Sequence, residues 1–494
     1  MTIRINIYNI SQMGYILRLS LMVAMLCLGM SAQARHLLVC GTVTAGGKAL
    51  GGVVVSDGFK CFTTDTNGYY TFEADDDARF VFVSTPSGFT AQCKDGTIPQ
   101  FYQRLDRETP RERYDFELVP TGGDDNRFAI IAQADVQVTQ AKELRDSFSA
   151  DVADMARLAA ELRQDGRSVF AIDLGDIVGN VQSLYPQYIK TIAPLQMPVY
   201  RAIGNHDMEI PAARTYEGSM KTFEGYFGPV NYSFNRGKAH VIVIDDCFCM
   251  GRDYQYIGYV PEQTFRWLEE DLSHVSKGSL VFVAMHIPSN DGEKLVFNKH
   301  DMENMSNAAA FWELLKGYDT HILSGHTHWN QNIVYGDSLY EHNTAAVCGI
   351  WWKADVCMDG TPRGCGVYEV DGDKVKWHYH SFGKPRSYQL RAYAAGSSKE
   401  HPGDIIANVW NHDKKWKVEW LENGKVMGKM KQFTGFDPEA AAICADKKRV
   451  EYDWISPVKT SHMFHATPKN PNAKITVRAT DRFGNVYEAD INKK

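Results

Sequence analysis

Five short apolar runs in the middle of the chain each end at residues whose side chains bind metal ions. These runs occupy residues 128–134, 169–174, 199–203, 281–285 and 322–324. Helix-like segments separate them, and strands that alternate with helices predict an α/β domain. Because such a sheet presents ligands at the carboxyl ends of its strands, we expect the five polar clusters to meet in one site.

The clusters supply carboxylate, amide and imidazole groups and no thiol. They are Asp135-Val136-Gln137, Gly175-Asp176, Gly204-Asn205-His206-Asp207, His286 and Gly325-His326-Thr327-His328. Such donors suit borderline-hard divalent ions such as Mn²⁺, Fe or Zn²⁺, and two ions that share an aspartate are the usual arrangement for in-line attack at phosphorus. The glycines fit sharp turns where the backbone passes close to the ions.

In this order the clusters resemble the motifs of the calcineurin-like metallophosphoesterases. The second cluster extends the likeness through Ile177, Val178, Gly179 and Asn180. Five blocks in the family's order make a chance match improbable. The resemblance implies a four-layer sandwich with mixed sheets for the central domain. The flanking segments, with Trp351-Trp352 and Asp359-Gly360-Thr361-Pro362, also resemble the companion domains of secreted bacterial members.

By motif position, the resemblance implies ligands for two divalent ions. One ion would be held by Asp135, Asp176 and His328, with Asp176 bridging to the second ion. The second ion's set would be completed by Asn205, His286 and His326. His206 would contact the phosphoryl oxygens and protonate the leaving group, with Asp207 orienting it.

Gln137 stands where the commonest family pattern has histidine. An amide oxygen is a harder and weaker ligand than imidazole, so the first ion is expected to bind less tightly or to be Mn²⁺ or Mg²⁺. Gln137 is either a direct ligand or a residue that hydrogen-bonds to water beside the ion. Related members carry glutamine here, so we interpret it as variation and not as inactivation.

Other polar and aromatic residues near the motifs have ordinary structural explanations. We interpret Asn180 as a turn residue, Asp245 and Asp246 as capping residues, and His321, inside its strand, as structural. Trp351 and Trp352 either wall a substrate pocket or pack the domain junction. Cys247 and Cys249 lack the second spaced pair that a zinc site needs.

The segments on both sides of the α/β domain are predicted to be all-β sandwiches. We divide the chain into an N-terminal β domain at 35–120, a linker at 121–126, the phosphoesterase domain at 127–383 and a C-terminal β domain at 384–494. Asn67-Gly68 and Asn423-Gly424 predict tight hairpin turns, because type I′ turns need positive φ. Between the first two apolar runs, helical spacing over 148–162 predicts a helix that stops near Gly166.

Residues 1–34 read as a secretory signal peptide. Arg4 and Arg18 precede an apolar run over 19–30, and Ala32-Gln33-Ala34 supplies a cleavage site. The run is too short for a membrane anchor, the alternative interpretation. We therefore expect an exported protein, periplasmic or extracellular, without a membrane span. Cys357 and Cys365 are close enough in sequence to pair, although spacing does not fix the connectivity.

The amino-acid composition narrows the classes of protein to which the chain can belong. The 494 residues carry 60 acidic and 53 basic side chains, a net charge of −7, and 44% are hydrophobic. This balance is globular and favours neither disorder nor general nucleic-acid binding.

The leading hypothesis is a phosphoesterase that hydrolyses mono- or diesters, of small molecules or linked to polymers, by in-line attack of a metal-bound hydroxide. The alternatives are a non-catalytic binding protein and an exported nuclease, for which no basic run is found near the motifs. The sequence leaves the substrate, the metal identity and the oligomeric state open.

Overall fold

A computed structural model describes residues 37–210, 213–252, 255–290, 304–470 and 472–491. The predicted signal peptide, residues 1–34, lies outside these ranges. Within them, no helix combines the length and apolarity needed to cross a bilayer.

The described part of the N-terminal segment, residues 37–120, consists of strands and their connections. Its strands are β1 (Leu37–Ala45), β2 (Lys48–Ala49), β3 (Val54–Ser56), β4 (Cys61–Thr63), β5 (Tyr69–Ala74), β6 (Phe80–Val83), β7 (Phe89–Ala91), β8 (Cys93–Lys94), β9 (Ile98–Pro99), β10 (Tyr102–Arg104) and β11 (Phe116–Pro120). One sheet has the order β2-β1-β11-β7, with β5 added at β1, and a second has the order β10-β6-β3-β4. Val39, Val43, Val55 and Val81 from the two sheets share one buried core, as in a β-sandwich.

Asn67-Gly68 lies in a tight turn, in which the Gly68 N–H donates to the Asp65 carbonyl at 2.9 Å and the Asp65 N–H donates to the Tyr69 carbonyl at 2.8 Å, but the predicted hairpin between the flanking strands is wrong. Strand β5 pairs with β1, with Tyr69 opposite Thr42, and not with the preceding β4. Gly68 has a φ of 72°, whereas Asn67 is not in the left-handed region that a type I′ turn requires at both positions. The Asp65 carboxylate accepts the N–H groups of Asn67 and Tyr69 and forms the turn instead. Pairing with β1 therefore overrides the local signal.

The central domain contains two mixed sheets. Its strands are β12 (Arg127–Gln133), β13 (Ser168–Leu174), β14 (Val199–Ala202), β15 (Tyr232–Arg236), β16 (Ala239–Val243), β17 (Cys247–Arg252), β18 (Gln255–Gly258), β19 (Leu280–Ala284), β20 (Asp319–Ser324), β21 (Gln331–Tyr335), β22 (Leu339–Asn343), β23 (Gly364–Asp371) and β24 (Lys374–Ser381). The first sheet has the order β14-β13-β12-β23-β24 and the second the order β15-β16-β19-β20-β22-β21.

Helices cover the two sheets. They are α1 (Ala141–Glu143), α2 (Ser149–Gln164), α3 (Tyr185–Ile192), α4 (Tyr216–Ser219), α5 (Lys221–Phe227), α6 (Glu262–Ser273) and α7 (Ala308–Leu315). Helix α2 confirms the predicted helix, follows a π-helical turn at Leu144–Phe148, and ends before Gly166, whose φ is 77°.

Side chains alternate between the layers. Along β12, Ile130 packs toward the second sheet, while Ala129 and Ile131 pack with Val152 and Met155 of α2. Helices α6 and α7 pack in the core shared with the second sheet. The central α/β sandwich with mixed sheets, flanked by two strand-rich domains, confirms the predicted fold class.

The ends of five strands define one edge of this sandwich. Strands β12, β13 and β14 run parallel in the first sheet, and β19 and β20 run parallel in the second. Because parallel strands end on the same side, the five apolar runs deliver their following residues to neighbouring positions.

The described residues of the C-terminal segment form two four-stranded sheets and one helix. Its elements are β25 (Arg391–Tyr393), β26 (Ile405–Asn408), β27 (Lys417–Glu422), β28 (Lys425–Lys429), β29 (Lys431–Phe436), α8 (Pro438–Ala445), β30 (Lys459–Ala466), β31 (Ile475–Thr480) and β32 (Val486–Asp490). The sheet orders are β25-β26-β30-β29 and β28-β27-β31-β32. The predicted turn at Asn423-Gly424 is confirmed, with φ values of 48° and 81°, and it joins the paired β27 and β28.

Asp359 ties the C-terminal domain to the central one. Its carboxylate lies 3.1 Å from His462 Nε2 and accepts the N–H of Asn330 at 3.1 Å, and its carbonyl accepts a hydrogen bond from Asn408 at 3.0 Å.

The nine described cysteines are all free, so the suggested pairing of Cys357 with Cys365 is not present.

Candidate metal centre

The seven predicted metal ligands meet at the strand ends of the two sheets. Six of them are buried and His326 is partly exposed. They are Asp135 after β12, Gln137 two residues later, Asp176 after β13, Asn205 after β14, His286 after β19, and His326 and His328 after β20.

Asp176 lies at the centre of this cluster. Its Oδ1 is 3.3 Å from His286 Nε2 and accepts the N–H of His206 at 2.8 Å. Its Oδ2 accepts from Gln137 Nε2 at 3.1 Å. The carboxylate therefore faces residues of both predicted ion sites, as a bridging ligand must.

The second predicted site is tightly gathered around His286. Its Nε2 lies 3.1 Å from Asn205 Oδ1 and 3.2 Å from His326 Nδ1. Ligand atoms of Asp176, His286 and His326 all lie within 4.8 Å of one another. His286 Nδ1 lies 2.7 Å from the Leu174 carbonyl, so Nε2 is the ring nitrogen that faces the cluster.

The first predicted site contains an unsatisfied carboxylate oxygen. Asp135 Oδ2 accepts the N–H of His326 at 2.9 Å. Asp135 Oδ1, fully buried, lies 3.5 Å from His328 Nε2 and has no hydrogen-bond partner among the described residues. Leaving a buried carboxylate oxygen without a partner is costly, and a cation between these two atoms removes that cost. The donor set therefore fits divalent metal ions.

The backbone is distorted to bring these ligands together. Five of the seven have positive φ, between 43° and 72°: Asp135, Gln137, Asp176, His326 and His328. A Cβ on Gly204 would lie 2.2 Å from the backbone nitrogen of Asp176. Residues held in this region of φ cluster at functional sites, and the glycine before Asn205 is required by the close approach of two strand ends.

The charges of the buried carboxylates in this cluster are unevenly compensated. Burial raises the pKa of Asp135 to about 8, although the positive charge of His286 opposes that shift. For Asp176 burial also acts to raise the pKa, but the charges of His286 and His206 outweigh it and hold the pKa low. Burial lowers the pKa of His328 to about 4, so its imidazole is neutral, the form that binds metal. A cation near Asp135 would supply the missing positive charge.

His206 lies beside Asp176 with its imidazole partly open to solvent. Its Nε2 is 3.9 Å from Asp176 Oδ2, and 34% of the side chain is exposed, which makes it reachable by a substrate. Its Nδ1 has no hydrogen-bond partner among the described residues. The position of the ring is thus set mainly by the backbone of His206, whose carbonyl accepts a hydrogen bond from Gln182 Nε2 at 3.2 Å.

The Asp207 carboxylate hydrogen-bonds to its loop, and none of its hydrogen bonds among the described residues reaches the ring of His206, which it is predicted to orient. Its carboxylate accepts from the N–H groups of Gly204 and Ile177 at 3.0 and 3.2 Å, and from Tyr185 Oη at 2.9 Å. Burial, with the nearby Asp176 charge, raises the pKa of Asp207 to about 7. Asp207 therefore positions His206 only through the loop backbone.

Gln137 and a cysteine that sequence reasoning missed lie side by side. The amide of Gln137 donates to Asp176, the arrangement of a residue that holds a ligand in place. Cys348 Sγ is 3.9 Å from Gln137 Oε1 and 3.8 Å from His328 Nδ1. Burial raises the pKa of this thiol well above its ordinary value, so it is a neutral neighbour. No motif surrounds Cys348 in the sequence.

The other polar candidates have structural positions. Asn180 has a φ of 63° and donates its N–H to the His206 carbonyl, as expected of a turn residue. Neither Asp245 nor Asp246 caps a helix. Asp245 accepts the N–H of Cys247, and Asp246 Oδ1 accepts the N–H of His286 at 3.1 Å. Asp246 thus fixes the backbone of a predicted ligand.

The two tryptophans have different positions. Trp352 packs in the core with Phe148 and donates to the Val136 carbonyl at 3.1 Å. Trp351 stacks on His328, with ring centroids 4.7 Å apart and an interplanar angle of 23°. Trp352 therefore packs the domain, and Trp351 lines the metal centre.

A second group of potential ligands lies in the C-terminal domain and comprises His401, Asp404 and His465. The two imidazole rings are stacked, 3.8 Å apart at 16°, and His465 Nδ1 is 2.7 Å from Asp404 Oδ2. Nearly parallel rings do not direct their in-plane lone pairs to one ion, so we interpret this group as packing.

Family models match almost the whole described chain. The N-terminal, core and C-terminal models of calcineurin-like phosphoesterase match residues 38–121, 130–330 and 341–487. A search of curated proteins by sequence returned no match.

Several solved structures are similar in fold. A dimetal phosphatase from Danio rerio is 14% identical, with 52% of this chain and 97% of that chain covered and a TM-score of 0.37. A 5′-nucleotidase from Candida albicans is 14% identical, with 53% of each chain covered and a TM-score of 0.34. A purple acid phosphatase from yellow lupin seeds is 12% identical, with 71% of this chain and 56% of that chain covered and a TM-score of 0.33. The last two are thus matched over little more than half their length.

The order of the motifs, the mixed-sheet sandwich and the three family matches agree. The chain belongs to the calcineurin-like phosphoesterases, hydrolases that act on phosphoester bonds.

Proposed function

We propose that the protein is an exported phosphoesterase with two divalent metal ions, Mn, Fe, Zn or Mg, that hydrolyses phosphate mono- or diesters. The observation that carries this proposal is the position of Asp176, whose two oxygens face His286 on one side and Gln137 on the other. A carboxylate whose two oxygens face residues of both predicted ion sites is positioned to be shared by two ions.

The two ions would be held by the residues that the family motifs assign. Asp135, Asp176 and His328 would bind the first ion, with Gln137 beside it, and Asp176, Asn205, His286 and His326 would bind the second. When bound, such ions supply a nucleophile at neutral pH and positive charge for the phosphoryl oxygens.

His206 supplies the proton that the leaving oxygen needs. Its ring lies at the open side of the cluster and is partly exposed, so that a phosphoester seated beside Asp176 reaches it. The loop that carries it is fixed by Asp207 and Gln182. A positioned imidazolium that protonates a departing alkoxide is general acid catalysis.

Hydrolysis by metal-depleted and metal-loaded protein tests the proposal. Mature protein is dialysed against a chelator, supplied with Mn²⁺, and assayed on monoesters and diesters, with Asp176→Asn as the control for contaminating phosphatase. We expect chelation to abolish hydrolysis, Mn²⁺ to restore it, and the variant to remain inactive. Full activity after chelation, or no hydrolysis of any ester with Mn²⁺, contradicts the proposal and in the second case favours a binding protein.

Export has its own test. The order of basic residues, apolar run and Ala32-Gln33-Ala34 supports removal of residues 1–34. The intact mass of protein recovered from a secreting host should correspond to a chain that begins at or near Arg35. Recovery of the protein with residues 1–34 still attached is the contrary result.

A further inference from the structure

We propose that Trp351, Tyr452 and Trp454, here named the aromatic wall, bind an aromatic ring carried by the alcohol part of the phosphoester. This inference rests on the proposed function and specifies its substrate class. The wall joins the central domain, which contributes Trp351, to the C-terminal domain, which contributes the other two residues.

The aromatic wall begins at a predicted metal ligand. Trp351 stacks on His328, whose Nε2 is 3.5 Å from Asp135 Oδ1. A phosphoryl group seated at the metal centre therefore places its ester substituent within reach of Trp351. Trp351 itself has a φ of 44°, an unfavourable conformation for a large residue.

The neighbouring residue holds Trp351 in this conformation. The N–H of Trp352 donates to the Cys348 carbonyl at 2.7 Å, and its indole N–H donates to the Val136 carbonyl. Strained backbone that is fixed by surrounding contacts is a feature of functional sites.

The rings from the C-terminal domain extend the wall outward. Trp454 meets Trp351 edge to face, with centroids 4.7 Å apart at 85°, and Tyr452 stacks on Trp454 at 5.6 Å and 9°. Trp454 is 61% exposed and Tyr452 is 37% exposed, so both retain free ring surface beside the metal centre. Aromatic rings prefer edge-to-face and offset stacked arrangements, and an aromatic ring of the substrate would add to the wall in the same way.

The loop that carries these rings is already ordered. Lys447 Nζ donates to the carbonyls of Asp453 and Ile455 at 2.8 and 3.0 Å, on both sides of Trp454. Little conformational entropy is then lost when a ligand binds, which favours recognition by the preformed surface.

The charges beside the wall favour an uncharged ring over a second phosphate. Lys353 Nζ pairs with Glu451 Oε2 at 2.7 Å, and Lys447 is engaged with carbonyls. Lys353 is thus compensated by a carboxylate and Lys447 is committed to two backbone carbonyls, while the ring faces of Tyr452 and Trp454 offer stacking area. The surface matches a neutral aryl or arylalkyl group.

Matched esters measure the preference. Mn²⁺-loaded wild type is assayed on benzyl, cyclohexylmethyl and ethyl phosphate, each as the monoester and the methyl diester, because these alcohols have similar acidity and differ in the ring. Trp454→Ala removes the exposed ring, and Trp454→Phe retains one. Tyr69→Ala is the control, since Tyr69 has the same 37% exposure as Tyr452 but lies in the N-terminal domain.

We expect wild type to prefer the benzyl over the ethyl ester in kcat/KM by about ten-fold, chiefly through KM. Trp454→Ala should reduce that ratio by roughly five- to ten-fold with hydrolysis of the ethyl ester unchanged, and Trp454→Phe should restore at least half of it. Tyr69→Ala should behave as wild type.

Two results overturn the inference alone: hydrolysis of all three esters with a ratio that Trp454→Ala leaves unchanged, or a cyclohexylmethyl ester as good as the benzyl ester in wild type. Absence of hydrolysis of every ester instead rejects the proposed function, and the inference falls with it.

Discussion

Strand β20 carries histidines with two different roles. His321, inside the strand, lies with its Nδ1 2.9 Å from His342 Nε2 and stacks on Tyr340 at 13°. His326 and His328, just beyond its end, face carboxylates and adopt positive φ. The same residue type thus serves packing within the strand and, we propose, metal binding after it, so position relative to the strand end decides the role.

The packing histidines and the histidines of the metal centre differ in the directions in which their ring nitrogens point. In the packing group the rings of His321 and His342 are nearly parallel, at 4°, and burial lowers the pKa of His321 to about 3. In the metal centre the rings of His286 and His326 cross at 70°, which directs nitrogens of both toward Asp176. Crossed rings around a carboxylate distinguish a ligand set from an aromatic stack.

Among the substitutions considered, that of Asp176 should have the largest effect, because it acts on the metal centre and not on the packing group of His321 and His342. Asp176→Asn keeps an oxygen that accepts the His206 N–H but removes the shared negative charge. We expect loss of most of both metals and a fall in activity of more than about 1,000-fold, measured by metal analysis after dialysis and by ester hydrolysis. Asp135→Asn, which affects one ion, should be milder. Two ions still bound to Asp176→Asn would reject the bridging role.

The role of His206 as the acid can be tested by comparing esters with different leaving groups. His206→Ala should lose about 10²- to 10⁴-fold in kcat on an alkyl phosphate and clearly less on a nitrophenyl phosphate, which departs without a proton, while both metals remain. The comparison requires chemistry to be rate-limiting on both esters. Equal losses on both would mean that His206 stabilises the phosphoryl oxygens and is not the acid.

The packing group should affect stability and leave catalysis unchanged. His321→Phe keeps a flat ring but leaves His342 Nε2 without its partner, at a cost of about 1–3 kcal/mol in the free energy of unfolding. Metal content and hydrolysis should match wild type. A loss of metal in His321→Phe would show that the two groups are coupled.

Acid should destabilise the wild type more than this variant. The folded-state pKa of His321, about 3, lies below its ordinary 6.5, so the unfolded chain binds the proton first and stability is lost as pH falls below 6.5. His321→Phe should remove about 1.4 kcal/mol per pH unit from that slope between these values. Urea unfolding at several pH values measures it, and equal slopes contradict the assignment.

Gln137 gives the smallest expected effect. Gln137→His should keep activity within about three-fold of wild type, while the first ion is lost more slowly on dialysis, because imidazole binds more strongly than an amide. Metal content followed over time provides the measurement. A large loss of activity would indicate that the hydrogen bond from Gln137 to Asp176 is essential.

The apolar runs made the fold and much of the candidate site predictable. Each run is a strand in the structure, and residues directly after parallel strands meet for geometric reasons alone, as for Asp135 and His326. Asn423-Gly424 was equally predictable, because its turn joins strands adjacent in sequence.

Contacts between distant segments were not predictable. Asn67-Gly68 has the same local signal as Asn423-Gly424, yet β5 pairs with the remote β1. The contact of Trp351 with Trp454 also joins two domains: Trp351 is predicted to lie at a pocket or at the domain junction, but no periodic or motif signal marks Trp454 as its partner. Tertiary pairing, which local sequence does not encode, determined both outcomes.

Anomalous scattering from crystals grown with Mn²⁺ would locate the two proposed ions directly. We expect two peaks per chain that share Asp176, one beside Asp135 and His328 and the other among Asn205, His286 and His326. No peak should lie at His321. A single peak, or two peaks that do not share Asp176, would show that Asp176 does not bridge two ions.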